Sequence, residues 1–148
     1  MDLIIRNANL QNGIHGIDIG IKDGKITELE TALVEKSEKE IDATGCIVCP
    51  PFVDAHFHMD ATFTLEDQRF NQSGTLLEGI ALWSELKSNL TLDTIKEKAM
   101  KYCDLAVSRG LLAIRSHVDI CDPSLLAVEA LLEAVSYTHL TLPTKRIV

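Results

Sequence analysis

Nowhere does this 148-residue chain run to the roughly 18 consecutive apolar residues of a membrane-crossing helix, so no span is expected. MDLIIRNANL also lacks the basic region and long apolar core of a secretory signal, which makes a cytoplasmic location the expectation. Positive charge is in deficit: 14 Lys and Arg against 22 Asp and Glu give a formal net charge of −8. Nucleic-acid binders concentrate cations to displace counterions from phosphates, so nucleic acid is not an expected partner. Only four cysteines occur, and Cys46 and Cys49 spell C-x-x-C with no second pair and no H-x-x-x-H to complete a tetrahedral zinc site. They are expected to be reduced thiols acting as small hydrophobes. Length is short too, because an eight-stranded α/β barrel needs roughly 200 residues or more.

An apolar fraction of 46% with 24% charged residues describes a globular protein. Residues 1–50 read as β-structure: LIIRNANL, GIDIGIKDGKITEL and EIDATGCIVC are short runs rich in Ile and Val, and Asp23-Gly24 is a hairpin signal. Alternation of Ile17, Ile19 and Ile21 predicts one buried and one wet face in a small antiparallel sheet. From Pro50 and Pro51 the pattern becomes strand, helix, strand, helix. FVDAHFH is the first strand. LLEGIALWSELK is a helix with a stripe at Leu77, Ile80, Leu82 and Trp83, the indole being expected in the core. A second helix runs from about Leu92 to Arg109, capped by Thr91 and closed at Gly110, with Ile95, Ala99, Cys103, Ala106 and Val107 on one face. LLAIRSHVDI is the next strand, and Pro123 opens the helix PSLLAVEALLEA. Such βα units predict a parallel sheet over residues 51–134.

Residues 135–144, VSYTHLTLPT, abandon that last helix's apolar spacing without a cap. Read back into codons they reproduce a transposase-library sequencing adaptor, so residues 135–148 are expected to be read-through and are set aside.

PFVDAHFHMD carries the chemistry. On a β-strand residues i and i+2 share a face about 6.5 to 7 Å apart. His56 and His58 therefore present two imidazoles side by side, and one divalent ion accepts a nitrogen from each at about 2.0 to 2.1 Å. Spacing alone leaves two ordinary strand histidines as an alternative. Asp54 shares their face lower down, where a structural hydrogen bond is as good a reading as a functional one. Asp60 either bonds a ligand histidine or caps the loop. Alternation in LLAIRSHVDI places Arg115, His117 and Asp119 on one face, with His117 either supporting a metal ligand or on the substrate side and Asp119 orienting a ring nitrogen, or both as a polar layer. Asn71, Gln72 and Ser73 are either substrate contacts or turn chemistry. His15, between glycines, is expected in solvent.

IDATGCIVCPPFVDAHFHMD, NQSGTLLEGIALW and RSHVDICD together resemble the amidohydrolase superfamily, and within it the cytosine deaminase-like branch, over most of residues 1–134. The resemblance implies an α/β fold: the N-terminal, truncated part of a metal-dependent (β/α)8 (TIM) barrel preceded by a small β-sandwich subdomain. Residues 1–50 would be the sandwich portion and 51–134 the first two βα units. It implies one divalent ion, Fe2+ or Zn2+, held by His56, His58 and later residues. Such an ion makes hydroxide available near neutral pH, and proton shuttles then let ammonia leave a cytosine-like ring. Isoguanine, creatinine and triazine hydrolases share parts of the pattern. The catalytic acid and base are expected downstream of residue 134, so the chain by itself is expected to be inactive. A small nucleobase-like substrate is the implied partner, no membrane is, and a homo-oligomeric parent is compatible with all of this.

Overall fold

A computed structural model describes residues 1–67 and 69–138. The chain divides into two compact units, Met1–Pro50 and the part from Pro51 onward.

The first unit is a single five-stranded sheet of β1 (Leu3–Leu10), β2 (Ile17–Lys22), β3 (Lys25–Glu30), β4 (Lys39–Asp42) and β5 (Ile47–Val48). The order is β3-β2-β1-β4, with β5 also pairing β1. Asp23 and Gly24 both take positive φ, 51° and 71°, the geometry of a two-residue turn that matches strand twist. The expected all-antiparallel sheet is corrected: β4 and β5 run parallel to β1. A tight hairpin enforces antiparallel pairing, whereas the longer connection after β3 lets the chain re-enter beside β1 in the same direction.

The wet face expected of β2 is also absent. Ile17, Asp18 and Ile19 are all buried, Asp18 at 5% exposure. The reason is a bulge in β1 between Ile5 and Ala8, where Asn7 sits at φ 56°. Asp18 fills it, accepting from the Asn7 N–H at 3.0 Å, the Leu33 N–H at 3.1 Å and Arg6 Nη1 at 2.8 Å. Arg6 also reaches Glu40. Burial alone would raise the Asp18 carboxyl, but Arg6 and the two N–H donors outweigh it and hold its pKa below the usual value. Ala8, Ile17, Ile19 and Ala43 make the apolar core.

In the second unit β6 (Phe52–Phe57) and β7 (Leu111–Ser116) pair in parallel, joined by helices α1 (Leu76–Lys87) and α2 (Leu92–Ser108), and α3 (Leu126–Thr138) follows. Thr91 caps α2, its hydroxyl accepting from the Thr94 N–H while Thr94 reaches back. Gly110, at φ 79°, ends the turn after that helix. Ile95 and Ala99 of α2 pack on Ala130, Leu131 and Ala134 of α3, with Ala99 and Ala130 fully buried. Small side chains at this crossing bring the two backbones close. Thr91→Ala is expected to cost about 1 kcal/mol in urea denaturation, with Thr91→Gly recovering most of it. No loss in Thr91→Ala would mean that the cap contributes nothing.

Several helix expectations need correction. Pro123 does not open α3, which starts at Leu126 after a turn held by Asp122, whose carboxylate accepts from the Ser124 N–H and hydroxyl. Leu77, Ile80 and Val107 are exposed, leaving Leu82 and Leu86 as the buried face of α1. Two strands offer too little surface to cover a full helix stripe. Cys46, Cys49 and Cys121 are exposed rather than buried. α3 carries through 135–138, and the rest of the supposed read-through, 139–148, lies outside the described residues.

Candidate metal centre

β6 ends at Phe57, so His56 is its penultimate residue and His58 lies just past it, opening the 3-10 turn Met59–Ala61. Phe57 faces the other way and stacks on Tyr102 of α2 at 4.2 Å. Met59 packs against the α2–α3 core, which fixes the turn immediately after the histidines. Asp54 Oδ1 accepts from the His56 N–H at 3.0 Å.

β7 stops at Ser116, so His117 and Asp119 are not strand residues and the alternation expected for them does not apply. Pairing continues past the strand ends by other means. The His117 N–H donates to the Phe57 carbonyl at 2.6 Å, the Met59 N–H donates to Ser116 Oγ at 3.1 Å, and the Asp119 N–H donates to Asp60 Oδ2 at 2.8 Å. Ser116 was missed by sequence reasoning, since a lone serine at a strand end carries no signal.

Three imidazoles meet at this edge. His56 stacks on His117 at 3.9 Å between ring centroids, and His58 lies 5.5 Å from His56 and 5.7 Å from His117. Burial, then the neighbouring His56, His58 and Arg115, lowers the His117 pKa, favouring a neutral ring at pH 7. Its Nδ1 is buried without a hydrogen-bond partner.

The Asp119 carboxylate is held by three protein donors. Its Oδ1 accepts from the Cys121 N–H at 2.8 Å, and its Oδ2 accepts from Trp83 Nε1 at 2.7 Å and Lys87 Nζ at 3.3 Å. These donors, the Cys121 N–H first, hold its carboxyl well below the usual range. Trp83 is thus a half-buried hydrogen-bond donor rather than core. Asn71, Gln72 and Ser73 build the start of α1. Asn71 Nδ2 donates to the Thr75 carbonyl, and Ser73 donates to Glu78 through both its N–H and its hydroxyl. The hydroxyl and N–H of Ser73, with the Gln72 N–H, bring the Glu78 pKa down to about 2. His15 is exposed and meets Asn9 Oδ1 at 2.9 Å.

Among the described residues no three His, Cys, Asp or Glu side chains are arranged to hold a metal ion. His56 and His58 nevertheless fit part of such a shell: both are exposed, and Asp60 Oδ1 is buried with no hydrogen-bond partner, 3.7 Å from His58 Nδ1. A carboxylate behind an imidazole is the usual companion of a ligand histidine. The cavity beside Trp83, Lys87, Asp119 and Asp122 is about 20 Å³, room for one water and too small for a heterocycle.

A model of the amidohydrolase family matches residues 39–138. N-isopropylammelide isopropyl amidohydrolase of Pseudomonas sp. (strain ADP) is 39% identical over 138 residues, 90% of this chain and 34% of that protein. The crystal structure of 5-methylcytosine deaminase from Klebsiella pneumoniae liganded with 5-fluorocytosine superposes with a TM-score of 0.80 at 36% identity, covering 90% of this chain and 33% of that one. N-isopropylammelide isopropylaminohydrolase from Burkholderia multivorans superposes at 0.73 and 22% identity over 93% of this chain and 35% of that one, a likeness of fold. The chain thus spans about a third of the length of the proteins it matches.

Proposed function

The chain belongs to the amidohydrolase family, and from that premise we propose that it supplies the first metal-binding strand of a hydrolase that removes an exocyclic amine from a small nitrogen heterocycle of the cytosine type. The observation that carries this reading is the pair His56 and His58 at the C-terminal end of β6, with the buried Asp60 behind them. In parallel α/β architectures that end of a strand is where chemistry is placed. His56 and His58 would hold one divalent ion, Fe2+ or Zn2+. Such an ion, when bound, makes a water acidic enough to supply hydroxide near pH 7.

What the chain's own residues do follows from their contacts. Stacking on His117 fixes the His56 ring, the Asp54 carboxylate fixes its backbone, and Met59 anchors the turn that carries His58. The remaining ligands and the acid and base that move protons during C–N cleavage are expected downstream of residue 134. For cytosine, water adds at the carbon bearing the amine, that C–N bond breaks, and uracil and ammonia leave. A triazine substrate is the second reading, favoured by the 39% identity to the N-isopropylammelide enzyme.

The test is a full-length protein carrying this sequence, stripped of metal and reloaded with Fe2+ or Zn2+, offered cytosine, 5-methylcytosine and N-isopropylammelide. Metal-dependent ammonia release from either pyrimidine supports the first reading. Isopropylamine release alone moves the assignment to triazines, and no product from any of the three would sink both. The 148-residue chain is expected to release no ammonia from cytosine, because two histidines fall short of the three protein ligands typical of a catalytic ion. Turnover by the purified chain would refute that.

A further inference from the structure

Asp60 is among the most deeply buried polar residues described, at 3% exposure, and it sits in the turn directly after the histidine pair. Its two oxygens have different fates. Oδ2 accepts from the Asp119 N–H at 2.8 Å, while Oδ1 is buried with no hydrogen-bond partner and lies 3.7 Å from His58 Nδ1. An unpaired buried carboxylate oxygen is costly, so it needs a donor. Lys87 does not serve, because its ammonium reaches Asp119 instead. The His58 side chain is 53% exposed, free to turn the short way that brings Nδ1–H into bonding range.

We infer that Asp60 is a positioning residue that holds His58 as its Nδ1–H tautomer, and that Trp83 and Lys87 of α1 hold Asp60 in place through Asp119. The inference rests on the metal reading above. An Nδ1–H donated to Asp60 leaves the Nε2 lone pair facing away from the turn, the form in which imidazole binds a cation. Asp119 is the connecting piece. Its carboxylate is gripped by the indole and ammonium of α1 and by the Cys121 N–H, and its own N–H is what Asp60 accepts. Residues far from the histidines in sequence thereby set the orientation of one of them.

The decisive variant is Asp60→Asn, studied in the 148-residue chain by 15N NMR of the histidine rings. The amide oxygen still accepts from the Asp119 N–H, but the amide NH2 then faces His58 and donates to its Nδ1. The expected result is Nδ1–H in the parent and Nε2–H in the variant, with His15 unchanged. A purely structural Asp60 would change thermal stability and leave the His58 tautomer alone, which would overturn the inference. Trp83→Phe provides the second arm should Asp60→Asn not fold. It removes one donor from Asp119 and is expected to turn His58 into a tautomer mixture, and an unaltered Nδ1–H signal would overturn the tether. Zinc affinity, measured by chelator competition in the full-length protein, is expected to fall roughly 10- to 100-fold in Asp60→Asn. If His58→Ala leaves zinc affinity unchanged, the metal reading fails while the tautomer result still decides the role of Asp60.

Discussion

Alanine at His56 or His58 in the full-length protein is expected to release the metal and lower kcat/KM by more than about 100-fold, since loss of groups that merely orient a ligand already costs 10- to 100-fold. Each histidine is one of few nitrogens available to the ion. Neither is buried, so neither substitution opens a cavity. Compared metal-free, parent and variant should therefore differ little in stability, within about 0.5 kcal/mol as for other surface changes. Metal content by elemental analysis, read beside the melting temperature, separates loss of the ion from loss of the fold. A His58→Ala protein that keeps one ion per chain and its turnover would show that the pair is not a ligand pair.

The second large effect concerns the sheet of the first unit. Asp18→Ala is expected to destabilise that unit by on the order of 3 kcal/mol, because it leaves the Asn7 and Leu33 N–H groups without their acceptor and takes from Arg6 one of its two carboxylate partners. The same contacts give a pH dependence whose sign is fixed. The folded Asp18 pKa lies below its unfolded value, so the stabilisation is full above the ordinary carboxylate range near pH 4 and is lost as pH falls through the folded pKa. Urea denaturation at pH 7 and below pH 4 checks both statements. Asp18→Ala should be the weaker protein at pH 7, and its stability should fall less on acidification. Parallel acid profiles in parent and variant would remove Asp18 as the source.

Features that depend on neighbours in sequence were legible from it. The Asp23-Gly24 turn, the Thr91 cap, the limits of α1 and the closing Gly110 each rest on a few adjacent residues, and the structure has them. The His56–His58 spacing is likewise local. What escaped depends on partners that composition does not announce. The direction of β4 follows from how a connecting segment crosses the sheet. Asp18 looked like a wet-face residue because nothing in GIDIGIK reveals that a bulge in another strand will close over it. Asp119 and Trp83 were assigned to separate roles, a ring-orienting carboxylate and a core aromatic, although 36 residues apart they satisfy one another. Period-two alternation was extended past the end of β7, where the chain had already left the strand.

The parallel pairing of β6 with β7 also fixes an order of events. Residues 52–57 meet 111–116 only after the whole α1–α2 connection has found its place, and long loops close slowly compared with hairpins. The β2–β3 hairpin, closed by two residues, can form on the microsecond scale. His56 reaches His117, and Asp60 reaches Asp119, only at the end of the slower process. The two histidines of β6 and the turn after it therefore gain their supports from the residues just past β7 last.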